Sequence, residues 1–286
     1  MSVWPTTQVP AAIDAAGFIP EIWSKKILEA VHRRLVVAPA VNHIWEGELT
    51  YGDTMNVGIT NTVDATQVTI GSEGNARDPM TGAMVPIVVN QYWEARVPLE
   101  YPARIQSQVR LETQAQVESG YAVAKKIDDT LCILFQALNA TSALGTDGAA
   151  ITDDVLIAAV ELLDEADVPP DDRVWIFDPS SKADIMKIDK FVRTDYGYGD
   201  VIPTGGFRKD VYGSPILITN NLTVNSTGND GVYMHRDAIA IIAQENNRVD
   251  RVEEPLKHQV VINTTALWGV KVMRNLFGVP ICTRLA

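Results

Sequence analysis

The stretch QSQVRLETQAQVESGYAVAKKIDDTLCILFQALN, residues 106–139, decides how the rest of the chain is read. Val117, Tyr121, Ala124, Ile127, Leu131, Leu134 and Leu138 recur at steps of three or four, the period of one helix face. Glu118, Lys125, Lys126 and Asp129 fall largely off that stripe. No proline interrupts it, and Gly120 is its only weak point. About 33 residues at ~1.5 Å each predict a helix of roughly 50 Å. A compact globule of 286 residues is hardly wider than that. The spacing therefore predicts an elongated or flat molecule.

Toward the N-terminus, residues 1–18 are weakly patterned and read as an extended arm. A helix is expected over 20–36, with Pro20 at its first position and Glu21 in the favourable first turn. Trp23, Ile27, Val31 and Leu35 recur every four residues, while Lys25, Lys26, Glu29, Arg33 and Arg34 lie mainly elsewhere; Pro39 stops it. Residues 47–105 change character, with Gly47, Gly52, Gly58 and many β-branched residues. Long strands are expected at 63–70 and 85–99. Between them lies GSEGNARDPMTGAM, residues 71–84, too long and polar for a tight turn. A long hairpin is only marginally stable alone, so it needs something to lean on, such as another copy.

Toward the C-terminus, a linker at 141–149 leads to Thr152, which is expected to cap a helix through about Ala166, with Asp153 and Asp154 in its first turn. Pro169 and Pro170 end it. Residues 173–177 read as a buried strand, and Asp178-Pro179 starts a short helix over 179–188. Residues 189–210 read as a surface loop, 216–219 as a strand and 228–231 as a turn. Residues 238–243 and 259–264 are strand-like, and the chain ends with 269–274 and 279–284, split by Phe277-Gly278.

Composition narrows the class. Apolar residues make up 46% and charged residues 21%, which excludes a mostly disordered chain. The 24 Lys and Arg against 36 Asp and Glu give a net charge of −12. That disfavours a protein whose whole surface grips nucleic acid. Cys132 and Cys282 stand in no metal or redox spacing, which fits a reducing compartment. No apolar run approaches the ~18 residues of a membrane span, and the N-terminus has no secretory pattern.

Common catalytic motifs are absent: no phosphate-binding glycine loop, nucleophile elbow or His-Glu-x-x-His. His32, His43, His235 and His258 are scattered, so ordinary polar contacts are expected of them rather than metal ligation. Asp153/Asp154 and Asp171/Asp172 invite an acid–base reading, but a helix start and a proline-led turn explain them. No catalytic, cofactor-binding or metal residue is assigned. The remaining signals are of shape: a loose arm, a protruding hairpin, an over-long helix and an α/β region behind it.

In that order, the parts resemble the major capsid proteins of tailed double-stranded DNA bacteriophages, the α+β Hong Kong 97-like shell fold also seen in encapsulins. FIPEIWSKKILEAVHRRLVV at 18–37 looks like the N-arm helix, 47–105 like the extended E-loop, and 106–139 like the spine helix. Residues 151–188 are similar to the helix–strand–helix opening of the axial domain. TGGFRKDVYGSPILITNNL at 204–222, GVYMHRDAIAIIAQ at 231–244 and WGVKVMRNLFGVPI at 268–281 resemble its later segments. The resemblance implies an N-arm over 1–46, an E-loop hairpin over 47–105 and a spine helix of a peripheral domain over 106–140. A mainly axial domain follows over 141–240, and returning strands of both domains over 241–286.

The resemblance further implies a coat protein without enzymatic activity or cofactor. It would assemble as hexamers and pentamers into an icosahedral shell around double-stranded DNA held without specific binding. Implied partners are other copies, a portal protein, a separate scaffolding protein and a cement protein, with no membrane. The implied location is the virion, assembled in the host cytoplasm. Candidate subunit-interface residues are Trp23, Ile27, Val31, Gly71, Asn75, Arg77, Met80, Tyr92, Trp93, Tyr196 and Tyr198. Some relatives weld subunits through an E-loop lysine. This chain has no lysine from residue 27 to residue 124, so no weld is expected. Its arm helix begins by Pro20, so any scaffold is expected to be a separate protein. Two alternatives stay open: an encapsulin-like compartment, separated by its enzyme cargo, and an α/β enzyme with a site near residues 178–206, separated by a small closed oligomer.

Overall fold

The computed structural model describes residues 35–60, 65, 67, 70, 82–106, 111–139, 143–192, 210–224 and 228–284. The expected arm helix over 20–36 lies outside them except for its last two residues, as does 71–81 of the expected hairpin tip.

The long helix forms. Helix α1, Tyr101–Gln106, precedes α2, Leu111–Ile133, and a 3-10 turn at Leu134–Ala137 continues it. At ~1.5 Å per residue, α2 spans roughly 35 Å. Its buried face differs from the expected stripe. Ala115, Ser119, Val123, Asp128, Leu131 and Cys132 are buried, whereas Val117 is 57% exposed. The cause is close packing. The first half of α2 lies against a sheet through small side chains, with Ser119 Oγ 2.7 Å from the fully buried Thr264 Oγ1. A stripe of bulky residues would hold the helix away.

That sheet has three strands: β3 (Gln91–Glu100), β10 (Gln259–Val272) and β9 (Ile239–Glu254), with β10 central and both pairings antiparallel. Strands β9 and β10 form a long hairpin. The sequence reading recovered only short parts of it, because the distal half of β9, ENNRVDRVEE, is polar. As an edge strand it is largely exposed, and its charges pair locally. Arg248 reaches Glu245 and Asp250, and Arg251 reaches Glu253. The expected strand over 85–99 is two strands, β2 (Gly82–Val88) and β3, broken at Val89-Asn90. Strand β2 pairs with β1, Thr54–Thr60, as a separate two-stranded ribbon. Of the expected first strand at 63–70, residues 65, 67 and 70 are described and none is in a strand; the others lie outside the described residues.

The second main sheet has six strands in the order β4-β11-β8-β5-β7-β6. These are β4 (Leu144–Gly145), β5 (Arg173–Phe177), β6 (Asp210–Val211), β7 (Ser214–Ile218), β8 (Gly228–His235) and β11 (Gly278–Arg284). Helices α3 (Asp153–Glu165), α4 (Pro179–Ile185) and α5 (Asp189–Val192) accompany it. Residues 228–231 are not a turn but the start of β8, buried at every position. Its glycines serve close approach. A Cβ on Gly228 would lie 2.0 Å from the Thr283 carbonyl oxygen, and one on Gly231 2.7 Å from the Phe177 ring. Thr152 holds the N-cap position of α3 but makes no side-chain capping bond. Asp178 does cap α4, accepting from Ser180 N at 3.0 Å and Ser181 N at 3.2 Å.

There are two main cores, and the first joins both sheets, taking in Ile176 of β5 and Val232 and Met234 of β8. Leu131, Phe135, Leu138, Ile239, Ile241 and Trp268 pack where α2 meets the three-stranded sheet. Leu156, Leu163, Trp175, Phe177 and Tyr233 pack around α3, with Trp175 stacked 3.7 Å from Tyr233.

Where the described chain begins, a single carboxylate fastens it to α2. Asp128 is fully buried and accepts from Val36 N at 3.1 Å, Val37 N at 3.5 Å and Ala38 N at 3.0 Å. These groups open the 3-10 turn Ala38–Ala40, so Asp128 caps it from more than 90 residues away. Burial pushes its pKa up from 3.8 despite the hydrogen bonds from Ala38, Val36, Val37 and Asn221, which pull it down. The folded state therefore holds the proton more tightly than the unfolded one. The contribution of Asp128 is fully present below about pH 3.8 and is lost as pH rises through the raised value.

Asp128→Ala is expected to cost about 3 kcal/mol by leaving buried N–H groups unpaired. Asp128→Asn, uncharged at every pH, should remove the part of the pH dependence that Asp128 contributes. In urea titrations the stability of the natural chain relative to Asp128→Asn should fall as pH rises from 3.5 toward neutrality.

Candidate assembly surfaces

The β1–β2 ribbon is built from TMNVGIT and GAMVPIV, fourteen residues without a charge. Its register runs from Thr54 opposite Val88 to Thr60 opposite Gly82. Successive side chains alternate between faces. One face carries Met55, Val57, Ile59, Val85 and Ile87, and packs with Trp45, Leu49, Ala240, Ile242, Leu267 and Met273. Ile87 is fully buried there. The ribbon base is also fixed by Val89 N donating to the Asp53 carbonyl at 2.8 Å. It crosses β10 at Gly269, where a Cβ would come within 2.4 Å of the Val88 carbonyl oxygen.

The opposite face is open. Met84 is 76% exposed and Val88 41%, with Pro86 between them. A 240 Å³ groove runs between ribbon and body, lined by Asn42, Ile44, Trp45, Val57, Ile59 and Met273 among others. Ile44 and Tyr51, just before the ribbon, are also exposed, as is Leu256 at the tip of the β9–β10 hairpin.

Of the expected interface residues, Tyr92 and Trp93 are described. Trp23, Ile27, Val31, Gly71, Asn75, Arg77, Met80, Tyr196 and Tyr198 lie outside the described residues. As strand neighbours, Tyr92 and Trp93 point to opposite faces of the three-stranded sheet. Trp93 is occupied by its own chain: Lys126 Nζ sits 4.7 Å from its ring centroid, and its Nε1 donates to Gln91 Oε1 at 3.1 Å. Tyr92, opposite Leu267, stands on the face away from α2 and is 62% exposed. The sequence reading missed Ile44, Tyr51, Val88 and Leu256. Leu256 left a signal, an apolar residue directly after Pro255 in a turn. Met84 fell inside the expected polar tip but belongs to a strand.

The polar clusters are structural. Asp178 caps α4 and receives Asn229 Nδ2 at 3.0 Å; burial raises its pKa, yet the Ser180 and Ser181 hydrogen bonds hold it below the ordinary value. Asp184 binds Arg284 through two bonds of 2.6 and 2.8 Å. Asp153 is paired with Lys190 and Tyr212. Asp172 sits in a tight turn at φ 57°. His43 Nε2 lies 2.6 Å from the Ala38 carbonyl, and His235 Nδ1 accepts from Asp237 N. Among the described residues no group of three or more His, Cys, Asp or Glu is placed to hold a metal ion.

No protein-family profile and no curated sequence matches the chain. Solved structures do match. A chain from Mycobacterium phage Che8 is 21% identical, with a TM-score of 0.79 over 92% of this chain and 97% of that one. A chain of the capsid of cyanophage P-SCSP1u is 14% identical, with a TM-score of 0.74 over 94% of each chain. A chain of the mature capsid of bacteriophage PhiM1 is also 14% identical, with a TM-score of 0.73 over 94% of this chain and 93% of that one. The fold is therefore that of phage capsid chains, mixed α and β, over nearly the whole length.

Gly269→Val is expected to lower the urea-unfolding free energy by about 2 kcal/mol, because the ribbon base has no room for a side chain. Gly58→Ala, where a Cβ would meet nothing within 4 Å, should change it by less than about 0.5 kcal/mol.

Proposed function

We propose that this chain is a major capsid protein, whose copies assemble as hexamers and pentamers into an icosahedral shell enclosing double-stranded DNA. The observation that carries this reading is the likeness to phage capsid chains over more than nine-tenths of the chain in both directions. The named structures come from phages, which favours a DNA-filled shell over an enzyme-filled compartment. They also favour a structural protein over an enzyme, and the buried carboxylates support that by being spent on caps and ion pairs.

In the Hong Kong 97-like scheme, β1–β2 corresponds to the E-loop and α2 to the spine helix. The three-stranded sheet forms the peripheral domain and the six-stranded sheet the axial domain. The open ribbon face and Tyr92 are then contacts between copies. Trp23, Ile27, Val31, Gly71, Asn75, Arg77, Met80, Trp93, Tyr196 and Tyr198 remain interface proposals, and Trp93 also holds α2 against the edge strand through Lys126. The partners are other copies, a scaffolding protein, a portal and a cement protein. The net charge of −12 lets DNA enter without being glued to the wall. The location is the virion, after assembly in the host cytoplasm.

Negative-stain microscopy of the expressed protein, alone and with its genomic neighbours, should show closed shells; a monodisperse monomer under all these conditions would overturn the reading. Denaturing gels of the particles should show a single band near 31.3 kDa, because the ribbon has no lysine to form a weld. Met84→Glu with Val88→Glu should leave the subunit folded by circular dichroism, since both side chains are exposed, yet cut particle yield at least tenfold.

A further inference from the structure

The outer face of α3 is an unusual surface for a solvated helix. Its inner stripe, Leu156, Ala159 and Leu163, is fully buried. Its outer rows place Ile157 in line with Glu161 and Glu165, and Val160 in line with Asp164. With Tyr212 they line an open groove of 890 Å³. Ile157 is 42% exposed and Tyr212 41%. Apolar side chains thus line the groove toward the start of α3, and carboxylates line it toward the end. Asp164 is joined to Arg173 at 2.7 Å, but Glu161, Glu165 and Asp154 have no ion-pair partner among the described residues. An occupant that satisfies this surface must bring apolar residues at helical spacing together with several cations.

The chain itself contains such a segment. Residues 23–35 carry Trp23, Ile27, Val31 and Leu35 four apart, flanked by Lys25, Lys26, Arg33 and Arg34 with Glu29 as the one acid. In the same copy, Val36, Val37 and Ala38 are fastened to Asp128 of α2. Helix α2 packs on the three-stranded sheet, in a different core from α3. We infer that the outer groove of α3 receives residues 23–35 of a second copy, its apolar stripe on Ile157, Val160 and Tyr212 and its basic residues toward Glu161 and Glu165. This rests on the reading of the chain as a shell subunit. It makes the contact one of complementary charge, so its strength falls with salt.

A synthetic peptide of residues 20–37, followed by Trp23 fluorescence, tests the groove without assembly. The peptide should bind the unassembled natural chain, weaken at least tenfold in Glu161→Gln/Glu165→Gln, and lose affinity as salt is raised. No binding, binding indifferent to those substitutions, or equal binding of a scrambled peptide of the same composition would overturn the inference. In the full chain, Glu161→Lys/Glu165→Lys and Arg33→Glu/Arg34→Glu should each reduce shell yield at least tenfold. Combined, they should restore it to within twofold. Shells that form normally with either pair alone sink the docking and leave the capsid reading intact. A natural chain that binds the peptide but never forms shells does the reverse.

Discussion

A buried carboxylate is an expensive thing to build, and Asp128 is one with no cation paired to it among the described residues. Asp128 lies on α2, in the interval where the stripe of small residues facing the three-stranded sheet gives way to Leu131, Cys132 and Phe135. It takes up three successive backbone N–H groups from the segment entering the body. Those groups would otherwise be donors without acceptors in a core that includes Val36, Val37 and Val41. Two residues beyond the 3-10 turn, Asn42 bridges to β9: its N–H bonds the Ile239 carbonyl and its carbonyl takes the Ile241 N–H. The entering chain is thus stitched first to the helix and then to the sheet. The sites where later segments can lie follow from that.

The most consequential of those segments is β10. Among the described residues it is the only strand of its sheet with a partner on both sides, β3 and β9. Its Thr264 receives α2 and its Gly269 receives the ribbon base. One strand therefore sets the position of the long helix, the hairpin and the ribbon together. The ribbon's buried face reaches a fully enclosed Ile87 near its base, while Met55, Val57, Ile59 and Val85 are only half-buried. The body supports the ribbon where it starts and covers only one of its faces. That is the arrangement a projecting arm needs if its burial is to be completed by another molecule.

Much of the α3–α4 region was legible because local chemistry punctuates it. Asp153 and Asp154 mark a helix start, Pro169 and Pro170 its aftermath, and Asp178-Pro179 the next cap. The isolated apolar run at 173–177 is β5 as expected. The failures share a different cause: the deciding partner is far away in sequence. Gly228 and Gly231 look like turn residues until Thr283 and Phe177 are seen against them. The α2 stripe is rotated because its partner is a sheet that demands small residues. The 85–99 run breaks at Val89-Asn90 because its two halves pair with β1 and β10, at opposite ends of the chain. Asp128 stood among Lys125, Lys126 and Asp129, and nothing local separates the buried charge from its exposed neighbours. For the candidate assembly surfaces, Tyr92 and Trp93 could be named from the sequence, but the contact of Trp93 with Lys126 of α2 could not.

The treatment of exposed strands argues where a partner can join. The free edge of β9 is long, and a long bare edge invites unspecific pairing. Here it is blunted by Glu245, Arg248, Asp250, Arg251 and Glu253, whose charges neutralise one another along the strand. A second strand docking there would have to disturb those pairs. The β1–β2 ribbon has no such protection: it carries no charge, and Met84 and Val88 stand open. Pro86 removes a single donor from one strand and nothing more. A chain under selection to stay alone would not guard one edge and leave its most aggregation-prone element bare. The contrast is what a specific partner for the ribbon requires.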